Sequence, residues 1–273
     1  MKIITLVEDT PGNSSCQYEH GLSIYIETNN HKLLVDTGAT DIFLKNAQKL
    51  NIDLKSVDTV ILSHGHYDHS GGILAFSQIN PTAKIYLKES ATEDYYSFSS
   101  GYEKYIGIDK NIPTLSQTIF VNGDKKIDEE LFLYTNITGR KNPAKSNLLL
   151  KKRIGETFVQ DNFDHEQCLV ITCEDKHILI SGCAHNGILN ILDRYREIFH
   201  TNPDMVISGF HMVKKTPYDS EEIRSIQNTA AALLETDALF YTGHCTSQLA
   251  FDIMKPIMGD KLRAIHSGVT ILE

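Results

Sequence analysis

Residues 57–72, VDTVILSHGHYDHSGG, constrain this chain more than any other segment. A run rich in aliphatic and β-branched residues, read as a strand, ends in His64, His66, Asp68 and His69, and two glycines follow. Three imidazoles and a carboxylate gathered at the end of a buried strand need a partner, because unsatisfied buried polar groups cost free energy. A divalent cation is the partner that nitrogen and oxygen donors share, and one loop supplying four of them can feed two ions.

The rest of the chain is patterned to bring further histidines to strand ends. Residues 2–7, 22–27 and 32–36 read as strands, with Asn29 and Asn30 as the turn between the second and third. A helix is expected from Thr40, where Phe43, Ala47 and Leu50 recur at helical spacing. The ligand strand follows at 58–63, then a helix at 73–79 and a strand at 84–87. Residues 90–150 are irregular, broken by YYSFSSGYEKYIG and TGRKNPAKSN around short strand-like runs at 118–121 and 131–135. That stretch is either a surface excursion or a lid whose aromatic residues wall a substrate. Residues 168–173 and 177–181 form a hairpin pattern, and helices are expected at 186–199 and 220–235. Strands at 204–208 and 238–242 each end in glycine and then a histidine, His211 and His244.

Strands alternating with helices, beside antiparallel hairpins, place the chain in the α/β class with helices on the outer faces of a two-sheet core. The 273 residues carry no Pro/Gly/Ser-rich linker and no repeat, so one domain over 1–273 is expected, with an insertion at about 90–150. The net charge of −9 argues against a nucleic-acid partner, which would require a basic face. The first residues are too short for a signal-peptide core, and no run of eighteen apolar residues exists, so no membrane partner is expected. Five cysteines without a disulfide spacing fit a reducing cytoplasm. Arg140, Lys141 and Lys145 form a local basic cluster suited to a small anionic substrate.

SHGHYDHSGG resembles the HxHxDH signature of the metallo-β-lactamase superfamily. VDTG at 35–38, DHEQCL at 164–169, ISGCAHNGILNIL at 180–192, GFHM at 209–212 and YTGHCT at 241–246 look like one subgroup. Its archaeal members are often named as dihydropterin-ribofuranosyl-aminobenzene phosphate synthases. The resemblance implies an αββα sandwich of two mixed sheets and a metal-dependent hydrolase, or a hydrolase-like transferase, of a small molecule. It implies zinc, with two ions, and leaves iron or manganese open. On that frame His64 and His66 serve one ion, with His165 next. Asp68, which also has a catalytic part, serves the second with His69 and His244. Asp164 and Glu166 are acidic substitutes for His165. Asp36 would anchor the ligand loop through hydrogen bonds.

The chain departs from that pattern at ISGCAH. Where most of the superfamily has a metal-bridging aspartate, Cys183 follows Gly182, and either its thiolate or His185 takes the place. His211 is left for proton donation or for binding a substrate oxyanion, and Arg140 and Lys145 for holding an anionic group. Two other classes stay open. One is an iron-dependent oxidoreductase on the same ligands, and the other is a metal-dependent binding protein that has lost its chemistry.

Overall fold

The computed structural model describes residues 1–214 and 216–273. Two seven-stranded sheets face each other. The first runs in the order Thr270–Leu272, Lys2–Val7, Ser23–Glu27, Lys32–Val35, Thr59–Ile61, Lys84–Lys88 and Thr118–Val121. The second runs Leu262–Ala264, Leu239–Thr242, Met205–Ser208, Lys176–Ser181, Cys168–Cys173, Leu131–Tyr134 and Lys125–Lys126. In each, one half is antiparallel and the other parallel. Each parallel step needs a crossover: helices Ile42–Lys49, Ile73–Ile79, Ile188–Phe199, Ser220–Leu234 and Gln248–Met258 supply five, and residues 89–117, without an α-helix, supply the step to Thr118–Val121.

Strand alternation builds three apolar layers. Ile3, Ile24, Val35 and Ile61 point inward against Leu133, Leu169, Ile171, Ile180 and Ile207 of the facing sheet. Their neighbours Ile4, Leu34 and Val60 point outward against Phe43, Ala47 and Phe76 of the first-sheet helices. Val170, Leu179 and Val206 do the same against Ile191, Tyr195, Ala230 and Met254. Burial on both faces explains why these strands read as nearly continuous hydrophobic runs. The arrangement is the αββα sandwich expected from the sequence.

Boundaries move by one or two residues, as helix and strand ends do. The first helix begins at Ile42, and Thr40 Oγ1 accepts from the Ile42 amide at 3.2 Å while its own amide donates to Glu19. Helix Gln248–Met258 carries Pro256 inside it, a residue that masks helical patterning in the sequence. Residues 90–150 are distributed rather than set apart. Thr118–Val121 extends the first sheet and Leu131–Tyr134 the second. Asp94–Ser97 and Lys104–Tyr105 join Leu150–Ile154 and Thr157–Gln160 in a separate four-stranded sheet.

The C-terminal ends of the parallel strands meet along one edge of the sandwich. Asp36, His64, Cys183, His211 and His244 all follow such strands within three residues. This is where open α/β sheets place ligands, since diverging loops leave a crevice there. The inter-sheet core is what brings the two ligand edges into register. Ile207→Ala, at a fully buried inner position, is expected to lower stability by about 2–5 kcal/mol in urea denaturation followed by circular dichroism. A loss under about 0.5 kcal/mol would contradict that role of the core.

Candidate metal centre

The site is built outward from Asp36, whose carboxylate is fully buried. One oxygen accepts from the Ser63 amide at 2.7 Å; the other accepts from Ser63 Oγ at 2.7 Å and His69 Nδ1 at 2.6 Å. Because the Ser63 hydroxyl gives its proton to Asp36, it receives one from His64 Nδ1, 2.9 Å away. His69 and His64 are thereby held as tautomers whose Nε2 carries a free lone pair. Gly182 lets the second sheet approach this anchor, since a Cβ there would overlap Ser63 Oγ.

Two further histidines are set the same way. His244 Nδ1 donates to Asp9 Oδ1 at 2.5 Å. His185 Nδ1 meets Asn147 Oδ1 at 3.3 Å, and the Asn147 amide nitrogen donates to the His185 carbonyl at 2.8 Å, which fixes the orientation of the amide. The backbone amide of His185 is held in turn by Glu166, 2.7 Å away. The four Nε2 atoms then face one another in pairs, His64 to His185 at 3.3 Å and His69 to His244 at 3.2 Å. His66 Nε2 is buried with no hydrogen-bond partner among the described residues.

The facing lone pairs of His64 and His185 repel, and His244, held towards its protonated form by Asp68 and Asp9, faces the lone pair of His69, so a cation would relieve the first pair and take the place of a proton in the second. Two nitrogens bound at 2.0–2.1 Å to one tetrahedral ion lie about 3.3–3.4 Å apart, close to both separations. Cys183 Sγ belongs to both groups, within 4.8 Å of the nitrogens of His64 and His185 and of His69 and His244. Asp68 Oδ2 completes the second group, 3.4 Å from His244 Nε2 and 3.8 Å from His69 Nε2. The donor set fits one or two divalent ions.

The electrostatics agree. Burial, with mutual repulsion among the ring cations, holds His64 and His185 well below the ordinary histidine range, and burial beside His165 pulls His66 down to about 3. These are neutral imidazoles, the form that binds metal. Burial opposes ionisation of Asp68, yet His69 and His244 outweigh it and keep the carboxyl below its usual range. At His244 burial works against the charge, but Asp68 and Asp9 prevail and raise its pKa well above the ordinary value. Left-handed backbone angles at Asp36 (60°), Ala184 (43°), His211 (49°) and His244 (47°) mark the same turns, a conformation disfavoured for non-glycine residues.

The expected donors are placed as follows. His64 and His185 meet at Cys183, as do His69 and His244 with Asp68 beside them; the His66 ring lies 4.6 Å from that of His64 and 4.8 Å from that of His185, while its donor nitrogen groups with Asp161 and His165. His165 lies alongside, but Nδ1 accepts from the Gly65 amide at 3.0 Å and Nε2 meets Asp161 at 3.2 Å, so both ring nitrogens are committed to protein. It braces the turn between His64 and His66, and with His66 and Asp161 it forms a further buried group of possible donors. Asp164 is exposed, and both Glu166 oxygens accept hydrogen bonds from the His185–Asn186 turn. The His211 ring lies tilted against that of His185 with centroids 4.0 Å apart; neither ring nitrogen has a hydrogen-bond partner among the described residues, and one lies within 4.8 Å of the sulfurs of Cys183 and Cys245. Arg140 donates to the carbonyls of Ile137 and Gly139 and to Asn186, while Lys145 pairs with Asp219 and Glu221. Asp9, His20, Asn147 and Cys245, whose sulfur accepts from the His211 amide at 3.3 Å, escaped the sequence reading. Asp9 alone carried a signal, a carboxylate at the end of a strand like Asp36. Solvent reaches the centre past His20, half-exposed, with Nε2 3.3 Å from Asp68.

Comparison with known proteins places these features in context. Residues 18–148 match the model of the metallo-β-lactamase superfamily. The chain is 29% identical to the 7,8-dihydropterin-6-methyl-4-(β-D-ribofuranosyl)-aminobenzene-5'-phosphate synthase of Methanocaldococcus jannaschii, over 99% of this chain and 96% of the relative. It resembles the crystal structure of a metal-dependent hydrolase of the β-lactamase superfamily with a TM-score of 0.83 and 32% identity, covering 100% and 99% of the two chains. A metallo-β-lactamase fold protein from Bacillus subtilis, at a TM-score of 0.58 and 14% identity over 98% and 97%, shares the fold. Among the described residues no helix is long and apolar enough to cross a membrane.

Two predictions follow from the geometry. His185→Ala is expected to lose an ion while His165→Ala keeps the full metal content and loses thermal stability; the reverse pattern in elemental analysis would restore His165 as the donor. The raised pKa of His244 means that it holds a proton at neutral pH, which a cation must displace. Burial likewise raises the Cys183 thiol well above its ordinary value, so a cation taking both donors displaces two protons, and metal affinity should fall about a hundredfold per unit of acidification around neutral pH in chelator competition; a flat profile would refute this.

Proposed function

Because the chain belongs to the metallo-β-lactamase superfamily, we propose that it is a metal-dependent hydrolase, or a hydrolase-like transferase, of a small anionic substrate. The observation that carries this reading is the pair of Nε2–Nε2 approaches with Cys183 common to both groups. His64 and His185, with His66 beside them, would hold one ion and Asp68, His69 and His244 a second, with Cys183 within reach of both groups. Zinc is favoured over iron or manganese, because thiolate and imidazole are softer donors than the carboxylate usual at the bridge. When bound, such ions supply Lewis-acid polarisation of the substrate and lower the pKa of water to about 7.

The protein's own groups do the rest. Asp36, Asp9 and Asn147 keep the ligand rings oriented and their Nδ1 protons in place. Asp68, beside the solvent route at His20, holds its negative charge next to the reacting region. His211, buried and without a hydrogen-bond partner, is free to bind a substrate oxygen. Hydrolysis adds the elements of water across the cleaved bond, and transfer uses a different acceptor. The synthase name of the Methanocaldococcus relative is the reason to keep transfer in view.

The test combines elemental analysis of protein purified without added metal with a screen of phosphodiesters and lactones. Two zinc ions per chain and turnover of a screened class are expected in the natural protein. Cys183→Ser should lose at least tenfold in metal affinity, and Cys183→Asp should keep two ions and shift preference towards iron or manganese. Unchanged metal binding in Cys183→Ser would reject the thiolate bridge. Iron alone, with oxygen consumption and no hydrolysis, would select the oxidoreductase reading instead.

A further inference from the structure

Beside the metal centre, on the side of helices Ile188–Phe199 and Ser220–Leu234, lies a cavity of about 490 Å³. Ile188, Leu189, Phe210, Met212 and Ile226 line it, so its interior is apolar. Its volume falls within the roughly 300–1,000 Å³ typical of small-ligand pockets. None of the metal donors lines it, yet the cavity is one residue from them. Ala184 lies between Cys183 and His185, and Phe210 and Met212 flank His211. Successive Cα atoms are about 3.8 Å apart, so an occupant lies against the backs of these turns. The lining segment 141–146 runs directly into Asn147, whose side chain holds His185.

The charges at its mouth indicate what it admits. Lys141 pairs with Asp193, Lys145 with Asp219 and Glu221, and Lys214 with Glu222. Arg224 also lines the cavity, is exposed, and has no ion pair among the described residues. In a chain of net charge −9, an unanswered guanidinium over an apolar hollow is a specific feature, and guanidinium suits planar anionic groups.

We propose that this cavity binds an amphiphilic organic anion, with the apolar body between Phe210, Met212 and Ile226 and the anionic group at Arg224. It does not rest on the hydrolase reading, since no metal donor lines the cavity. The commonly used probe 8-anilinonaphthalene-1-sulfonate has this chemistry. Titrated into the full-length protein and followed by fluorescence, it should bind one saturable equivalent. Ile226→Trp fills the cavity and should weaken binding at least tenfold. Ala144→Trp, on the half-exposed mouth, should do the same without burdening the core. Arg224→Glu should weaken binding at least threefold, and all three should keep wild-type metal content. Unchanged probe affinity in both tryptophan variants would overturn the site, and unchanged affinity in Arg224→Glu would overturn its preference for anions. His66→Ala separates this proposal from the hydrolase reading: probe binding should persist there although metal is lost, and its disappearance in a folded variant would overturn the cavity as an independent site.

Discussion

The carboxylate of Asp36 is the interaction on which the centre depends. It takes three hydrogen bonds, from the Ser63 amide, the Ser63 hydroxyl and His69, and through Ser63 it also determines the proton position on His64. One buried anion thus ties the end of Lys32–Val35 to the ligand loop and orients one ring in each metal group. A buried carboxylate is tolerable only because its lone pairs are satisfied. Substituting it would disturb the loop and both groups together.

Asp9 and Asn147 repeat that logic from other parts of the chain. Asp9 follows the first strand and holds His244; Asn147 enters from the loop before Leu150–Ile154 and holds His185. His69, His185 and His244 are each aimed by a group distant in sequence, so the donor geometry depends on docking of both large sheets and the small one. The left-handed angles at Ala184, His211 and His244 are the local cost, roughly 1–3 kcal/mol each, and the packed sandwich beneath maintains them. A cation would relieve the facing lone pairs of His64 and His185, which couples metal binding to stability.

His165 and His185 illustrate how hydrogen bonds distinguish two neighbouring rings. Both are buried histidines near the ligand loop, yet the Gly65 amide occupies the Nδ1 lone pair of one, while Asn147 leaves the Nε2 of the other free. Asp161 and Tyr95, whose ring centroid lies 4.1 Å from that of His165, fix the bracing role. With His185 available on the Cys183 turn, the two residues of GCAH that depart from the usual pattern act on both metal groups.

How much of this was legible in advance follows from the range of the forces involved. Periodicity and strand-end chemistry are local, so the strands, most helices, the ligand loop and the strand-end histidines could be read from the sequence. With the superfamily resemblance, so could the αββα class and the role of Asp36. Helix Gln248–Met258 was hidden by Pro256, and residues 90–150 by strands too short to show a period. How each candidate histidine is oriented could not be read from the sequence. That depends on which ring nitrogen already carries a proton, and the groups that decide it lie 38 residues away at Asn147 and 235 away at Asp9. The sequence by itself determined which side chains could meet; only the tertiary structure, by assigning each imidazole its hydrogen-bond partner, decided which of them point a free lone pair at the same place.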